Sequence, residues 1–278
     1  MPPKYVKAYL KRSTTDEADA EAICEAVQRP NIIEVPIKTV DQQCALMLHR
    51  TRELLVSQRT QAINAMRSHL AELGLIAPVG LQGGGLQGAA TLAAIVKVTD
   101  DRRLPPVARL ALATLVGSLE SVGQQIALLD RAIQKAHRAN AVSCRLESVP
   151  GVGPVTASAF IATVGGAENF KSARGFAAWL GLTPSLHGTG GKVRLGSITK
   201  QGDSYLRKLL VVGATAVVQL AMRKSGDHPW LAELLKRLPY KKLAVALANK
   251  NARIIWALLK RGGTFEASHK PAAFAAAA

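Results

Sequence analysis

Cysteine is scarce in this sequence of 278 residues, which has three, at positions 24, 44 and 144. Their odd number and wide spacing exclude a disulfide framework and the closely spaced cysteine pairs of a zinc site. Long apolar runs are lacking too, since the longest, from Leu209 to Met222, is too short to cross a bilayer. The apolar segment of a signal peptide does not follow the opening Met1-Pro-Pro-Lys. We therefore interpret the apolar run as a buried helix and expect a cytoplasmic protein.

Acidic residues are outnumbered almost two to one. The chain has 36 lysines and arginines against 19 aspartates and glutamates, a net charge of +17, and 48% hydrophobic residues, enough for a buried core. Residues 186–262 hold fifteen of the basic residues and three of the acids. Such one-sided charge predicts a polyanionic partner, and nucleic acid is the usual one. The alternative, a generally basic surface, explains the concentration in one segment less well.

Helical patterning dominates the sequence. One long pattern runs from about residue 40 to 73 and a second from 105 to about 140, with a glycine-rich break at 74–90 between them. The apolar stripe of the first comprises Cys44, Met47, Leu48, Leu54, Leu55, Ile63, Met66, Leu70 and Leu73. That of the second comprises Leu110, Leu115, Leu119, Val122, Ile126, Leu129 and Ile133. The sequence predicts a mainly α fold with a long, coiled-coil-like helical hairpin, whose first helix pairs with the second or with another copy of the chain.

The segment Val149-Pro-Gly-Val-Gly-Pro-Val-Thr-Ala157 is the clearest local motif. A Pro-Gly-x-Gly turn between two apolar helices is typical of a helix-hairpin-helix. Gly151 and Gly153 let the backbone approach a phosphate closely, and the amides at the start of the following helix point at it. Such contacts position nucleic acid without reading its sequence. The alternative is an ordinary tight turn between helices, and we favour the binding motif.

A second glycine-rich segment, Gly188-Thr-Gly-Gly-Lys-Val-Arg-Leu-Gly196, carries a hydroxyl among cations. We interpret it as an exposed, flexible loop that presents Thr189. The cations around it are Lys192, Arg194, Lys200 and Arg207. The hydroxyl can attack a phosphodiester while the cations stabilise the extra charge on phosphorus. A phosphate-binding loop without a covalent role explains the same spacing at least as well, so both interpretations stay open.

Residues 13–28 are predicted to form a helix, because Thr14 and Glu17 have the spacing of a capping box. Asp16 and Asp19 lie three residues apart, so both carboxylates fall on one face, and we expect Ile23 to continue that face inward. Paired carboxylates can hold Mg²⁺ for phosphoryl transfer. Acids in a first helical turn also simply favour the helix dipole, and by itself this explanation is the stronger one.

Taken together, these blocks resemble the DEDD-type insertion-sequence transposases, the family related to the Piv site-specific invertase. The C-terminal blocks carry most of the resemblance: Pro150-Gly-Val-Gly-Pro, Leu180-Gly-Leu-Thr-Pro, Thr199-Lys-Gln-Gly and Leu206-Arg. The stretch from Thr15 to Ala20 is similar to the last block of the family's nuclease-like domain, where Asp16 and Asp19 match its final two acids. The resemblance implies a Mg²⁺ site at these two aspartates and a loop nucleophile at Thr189. It also implies DNA as the partner and allows a structured, element-encoded RNA as a further one, because some members resemble systems guided by such an RNA.

Two departures from the family pattern affect these expectations. The family's first Asp and its Glu have no counterpart here, so we expect an N-terminally truncated chain with an incomplete metal site. Thr189 stands where the family has a serine, and its extra methyl restricts approach to the hydroxyl. The sequence therefore predicts a transposase or recombinase of a bacterial insertion sequence. The alternative is a catalytically incomplete remnant that still binds nucleic acid.

The predicted domain organisation follows from the same blocks. Residues 1–37 are expected to be the remnant of the nuclease-like domain and residues 38–140 the helical hairpin. Residues 141–262 are expected to form a compact helical transposase domain containing the helix-hairpin-helix. The alanine-rich residues 263–278 are expected to be disordered. A homo-oligomer is expected because the helical hairpin has a long apolar stripe.

Overall fold

The computed structural model describes residues 3–11, 15–30, 36–76, 104–223 and 229–266. These residues are mainly helical, which confirms the predicted fold class. The chain divides into a small unit, Met1–Val40, and a large unit, Asp41–Ala278.

The small unit contains three short elements. They are α1 (Pro3–Val6), a 3-10 turn (Lys7–Tyr9) and α2 (Asp16–Val27). Helix α2 is capped by Thr15, whose side-chain oxygen accepts a hydrogen bond from the Ala18 amide at 3.2 Å. The predicted cap was Thr14, which lies outside the described residues. A cap at Thr15 leaves three acids in the first turn, where they interact favourably with the helix dipole.

Two long helices begin the large unit: α3 (Val40–Glu72) and α4 (Pro106–Arg138). Near the start of α3, Arg52 Nε lies 2.5 Å from Oδ1 of Asp130 near the end of α4. Later in α3, a buried cluster joins residues of both helices with Leu104. The cluster consists of Ile63, Met66, Leu70, Leu104, Leu112 and Leu119. The two helices therefore run in opposite directions. Most of the glycine-rich break belongs to residues 77–103, outside the described residues, so the continuous hairpin stays a prediction.

The predicted apolar stripes are correct at some positions and wrong at others. In the first stripe, Ile63, Met66 and Leu70 are buried, whereas Cys44, Met47, Leu54 and Leu73 are exposed. The buried positions at the start of α3 are Leu46 and His49. In α4, Leu119, Ile126 and Ile133 are buried and Leu110 is exposed. The pattern fails early in α3 because His49 in that part of the helix is buried against two polar side chains distant in sequence, Ser158 and Tyr205.

The rest of the large unit is a compact helical assembly with one small sheet. Its elements are α5 (Ala141–Glu147), α6 (Pro154–Val164), α7 (Ala173–Trp179), β1 (Pro184–Thr189), β2 (Lys192–Ile198), α8 (Ser204–Arg223), α9 (Pro229–Leu235) and α10 (Tyr240–Arg261). Helix α10 packs against α7 and α8, and α6 packs against α4, α5 and α8. The core around these contacts includes Phe160, Phe176, Leu180, Leu206 and Leu210. This assembly carries the two glycine-rich segments singled out from the sequence.

Among the described residues, two helices, α4 and α8, are long and apolar enough to cross a membrane by length and composition alone. Helix α8 contains the apolar run interpreted above as a buried helix. Its Leu206, Leu210, Ala214 and Val218 lie in the core, whereas Val212, Leu220 and Met222 are exposed, so one face of the run is buried rather than the whole helix. The core helix of a soluble protein passes the same test.

The start of the predicted disordered tail is described only up to residue 266. There the Phe265 amide donates to Oγ of Ser148 at 2.9 Å, and the Phe265 ring packs against the core. Residues 267–278 lie outside the described residues, so disorder of that stretch stays a prediction.

Candidate nucleic-acid interface

The turn between α5 and α6 is fixed by close contacts with α8 and α10. Gly151 has a φ of +84°, and a Cβ built on it would lie 2.8 Å from the carbonyl oxygen of Gly213 in α8. Asn251, buried in α10, donates from Nδ2 to the Pro150 carbonyl at 2.8 Å. Glycine at 151 therefore serves the close approach of this turn to α8. Its predicted contact with a phosphate stays a prediction.

Gly153 occupies a different environment two residues later. It is the N-cap of α6, makes no side-chain cap, and has nothing within 4 Å of the position a Cβ would take. Pro154 follows at the first helical position, where its missing N–H costs nothing. The start of α6 is thus open at the place where the sequence predicts a backbone contact. A phosphate bound there stays a prediction.

The segment around Thr189 is an antiparallel β-hairpin, here called the ribbon (residues 184–198). Strands β1 and β2 pair through Leu186↔Leu195, His187↔Arg194 and Thr189↔Lys192. Gly190 and Gly191 form the two-residue turn with φ values of +55° and +75°. Two successive positive φ angles belong to a type I′ turn, whose twist matches that of paired strands. The flexible loop expected from the sequence is therefore wrong, because the glycines join two strands.

The two faces of the ribbon differ in chemistry. Directly opposed residues of an antiparallel pair lie on the same face, and neighbours along a strand alternate. One face therefore carries His187, Thr189, Lys192 and Arg194, all exposed. Oγ of Ser185 lies 3.3 Å from Nε2 of His187, which places Ser185 on this face too. We call it the polar face.

The opposite face of the ribbon is apolar and exposed. It carries Leu186, Val193 and Leu195, which are 70%, 67% and 72% exposed. The ribbon thus presents both of its faces to solvent. The structure brings Thr189, Lys192 and Arg194 together on the polar face, as three of the predicted site residues.

The other two predicted cations lie where the ribbon joins the domain. Lys200 has a φ of +53°, a left-handed conformation that costs free energy for a residue with a side chain. Arg207, in the first turn of α8, donates from Nη1 to the carbonyls of Leu180 at 3.0 Å and Gln201 at 2.7 Å. The structure therefore gives Arg207 backbone partners that the sequence did not predict.

Asp16 and Asp19 belong to the small unit and are exposed in the first turn of α2. The expectation that Ile23 points inward from their face is wrong, since it is 48% exposed. The buried face passes instead through Ala22 and Ala26, one turn apart. Across the described ranges, groups of three or more His, Cys, Asp or Glu side chains placed to hold a metal are absent. The aspartate pair thus fits Mg²⁺ only as a partial ligand set.

Sequence reasoning missed a buried polar contact between α3, α6 and α8. His49 is 1% exposed, with Nδ1 3.2 Å from the hydroxyl of Tyr205 and Nε2 3.1 Å from Oγ of Ser158. Burial, and secondarily the nearby Arg52, lowers the pKa of His49 to about 4. Burial also raises the pKa of Tyr205 to about 12. The neutral imidazole therefore links the long helix α3 to the C-terminal helices. The one signal of this contact in the sequence is that His49 lies three residues after Leu46, a spacing that places both residues on the same side of a helix.

Comparison with known proteins gives a consistent result. A family model described as "Transposase IS116/IS110/IS902 family" matches residues 143–229, which run from α5 to the start of α9 and include the ribbon. A "Probable family 20 transposase" of Pseudomonas aeruginosa is 46% identical over 260 residues, covering 93% of this chain and 76% of that protein. The "Transposase for insertion sequence element IS1328" of Yersinia enterocolitica is 36% identical over 264 residues, covering 95% and 77%. A "Pilin gene-inverting protein" of Moraxella lacunata is 26% identical over 127 residues, covering 44% and 38%. The first two of these relatives are more than 30% identical to the chain over most of both lengths. The chain therefore belongs to the IS110/IS116/IS902 family of transposases.

Proposed function

We propose that this protein cuts and rejoins DNA strands in the transposition of an insertion sequence, and that the polar face of the ribbon meets the scissile phosphate. Membership of the transposase family supports DNA transposition as the activity and DNA as the partner. The role of the ribbon is inferred from the register in which its two strands pair. Thr189 pairs with Lys192, and the next pair on the same face includes Arg194. A hydroxyl is thereby set beside two cations at the tip of an exposed element.

The proposed chemistry is transesterification. Oγ1 of Thr189 forms a bond to phosphorus, and the bond from phosphorus to the leaving deoxyribose oxygen breaks. The threonine proton passes to solvent, and the leaving oxygen takes a proton in return. Lys192 and Arg194 stabilise the negative charge that builds on the phosphoryl oxygens. Arginine suits this task because its fork matches the geometry of phosphate oxygens.

A plasmid assay tests the nucleophile. The substrate carries the DNA that flanks the protein's own gene, with Mg²⁺ and the RNA transcribed from that flanking DNA. We expect Thr189→Ala to abolish strand transfer and Thr189→Ser to retain it, because serine keeps the hydroxyl and removes the methyl. Ser197→Ala is the matched control, since it removes an exposed hydroxyl from the base end of strand β2, away from the Thr189↔Lys192 pair. Strand transfer at wild-type level by Thr189→Ala would refute the nucleophile.

The same assay separates the enzyme from its alternative, a nucleic-acid-binding protein without strand transfer. In the alternative, the wild-type chain binds the flanking DNA and leaves both strands intact. The basic cations on the polar face support binding in either case. Competition between unlabelled DNA and the flanking RNA transcript then reports which nucleic acid the protein prefers, and an RNA partner predicts that the transcript competes.

The relation to the DEDD-type enzymes and the Piv invertase is part of the proposal. The similarity to the pilin gene-inverting protein supports it. In this relation Asp16 and Asp19 are two ligands of a Mg²⁺ ion that DNA phosphates help to complete, and the metal when bound neutralises phosphate charge. We expect Asp16→Asn with Asp19→Asn to abolish strand transfer while the protein still binds DNA.

The helical pair of α3 and α4 is proposed to join copies of the chain. After the two helices have packed on each other, Met47, Leu54, Leu110 and Leu128 remain exposed. Apolar side chains left on a helical pair favour a further helical partner. We further propose that residues 38–140 join copies of the chain into a homo-oligomer. The proposed location is the cytoplasm, where the DNA is.

A further inference from the structure

The direction of the ribbon depends on how its ends join the domain, because both of its faces are exposed. We call residues 179–183 and 199–203, which precede and follow the two strands, the ribbon base. Within it, the Thr199 amide donates to the Thr183 carbonyl at 2.9 Å and the Lys200 amide to the Gly181 carbonyl at 3.1 Å. These two bonds continue the pairing of the strands into the domain.

The two segments of the ribbon base lie in backbone contact. Gly181 and Gly202 both have a φ of +69°. A Cβ on Gly181 would lie 2.4 Å from the backbone nitrogen and oxygen of Gln201, and a Cβ on Gly202 would lie 1.8 Å from the Trp179 carbonyl oxygen. Side chains at either glycine would force the segments apart. The left-handed Lys200 stands between these contacts, which accounts for a conformation that a lysine seldom adopts.

Arg207 joins the two segments a second time. Its Nη1 donates one hydrogen bond to Leu180, before the ribbon, and one to Gln201, after it. The guanidinium is half-buried, and α8, which carries it, is anchored in the core by Leu206 and Leu210. Asp203 caps the same helix through the Leu206 amide at 2.9 Å. The cation therefore connects the ribbon base to a fixed helix.

We propose that Arg207 is a positioning residue that sets the direction of the ribbon, rather than a phosphate contact. The inference rests on the proposed function, since it matters for activity only if Thr189 reacts. A phosphate contact contributes to DNA affinity and to its salt dependence, and lysine keeps the charge on which both depend. The two carbonyls need a donor at the reach and angle of the guanidinium, which lysine does not reproduce.

Kinetics separate the two roles. We expect Arg207→Lys and Arg207→Ala each to lower the rate of strand transfer at saturating DNA at least tenfold, with Kd within about twofold of wild type and an unchanged salt slope. Lys208→Ala is the matched control, because its exposed side chain sits on the next position of α8 with the same charge. It should leave the rate unchanged. Full activity of Arg207→Lys, with weaker and less salt-dependent binding by Arg207→Ala, would overturn the proposal.

Hydrogen exchange tests the contact between Arg207 and the ribbon base independently of strand-transfer activity. In Arg207→Ala the amides of Thr199 and Lys200 should exchange at least tenfold faster, while the Ala157 amide in α6, bonded to the Gly153 carbonyl at 2.9 Å, keeps its wild-type rate. Unchanged exchange at Thr199 and Lys200 would overturn the proposal. If the wild-type chain transfers no strands, the proposed function fails, and the exchange rates still decide whether Arg207 holds the ribbon base.

Discussion

Gly151 and Gly213 face each other across the interface between the α5–α6 turn and α8, at a distance that leaves no room for a side chain. A Cβ built on Gly213 would lie 1.9 Å from the Gly151 carbonyl oxygen, and one on Gly151 would lie 2.8 Å from the Gly213 carbonyl oxygen. The atoms that block the space are backbone on both sides, so a side chain there cannot be accommodated by a change of rotamer.

Replacing Gly213 with alanine should therefore destabilise the large unit. We expect the free energy of unfolding, measured by urea denaturation, to fall by about 1–3 kcal/mol, the cost of overpacking a close contact. Gly117→Ala is the control, because this glycine lies inside α4 with nothing within 4 Å of its Cβ position. There the change should stabilise the protein by about 0.5–1 kcal/mol through helix propensity. A neutral Gly213→Ala would contradict the packing described here.

Stability should fall as the solution becomes acidic, through His49. The pKa of His49 is lowered to about 4 in the folded protein, whereas an unfolded histidine titrates near its ordinary 6.5. Below about pH 6.5 His49 is protonated in the unfolded chain and stays neutral in the folded chain. The folded state therefore loses stability as the pH falls from about 6.5 to about 4. The loss attributable to this group is at most about 3 kcal/mol.

A variant isolates the contribution of His49. His49→Gln keeps a donor and an acceptor beside Tyr205 and Ser158 and does not titrate. Its free energy of unfolding should change less between pH 7 and pH 4 than that of the wild type. Parallel pH profiles of the two proteins would show that burial of His49 does not govern acid sensitivity.

Nucleic-acid binding should depend steeply on salt. Each phosphate neutralised by a cation releases counterions, so affinity for duplex DNA falls as salt rises from about 50 to 200 mM. Replacing Lys192, Arg194 and Lys200 together with alanine should reduce the slope of log affinity against log salt by roughly 2–3 and weaken binding to all sequences alike. Lys236→Ala removes a cation already paired with Glu233 at 3.2 Å and should change the slope by less than about one. Affinity that is indifferent to ionic strength would count against the interface.

The chain should self-associate through α3 and α4. Light scattering at tens of micromolar protein should report a homo-oligomer, and Leu54→Glu with Leu110→Glu should dissociate it, because charge replaces exposed apolar contact. Leu186→Glu places the same charge on the apolar face of the ribbon and should leave the oligomer intact. A strictly monomeric wild type would rule out this role for the helical pair.

The long helices could be predicted because period and length agree, and Ile63, Met66 and Ile133 are buried where the pattern places them. The exposure of Met47 could not be predicted, since the early part of α3 is buried through His49 and its partners Tyr205 and Ser158, far away in sequence. Periodicity records which face is apolar and does not record a polar contact between distant helices.

The ribbon shows a signal that was present and misinterpreted. Gly190-Gly191 lies between segments that alternate in polarity, from Ser185 to Thr189 and from Lys192 to Ser197, which is a pattern typical of a two-residue hairpin. The glycines at 188 and 196 made the same stretch resemble a loop. The two hydrogen bonds of Arg207 had no sequence signal, because its partners are backbone carbonyls and any residue supplies those.

Because the ribbon is long, a small rotation at its base produces a larger displacement at its tip. Strand β1 has six residues, and at about 3.3 Å per residue the tip lies about 20 Å from the domain. A rotation of about three degrees at the base then moves Thr189 by about 1 Å, a displacement that can cost a catalysed reaction about a hundredfold in rate. Under the proposed function, mutations that loosen the domain near Gly181 or Gly202 therefore lower the rate of strand transfer without removing a contact to DNA, because the tip of the ribbon stays in place only while its base is rigid.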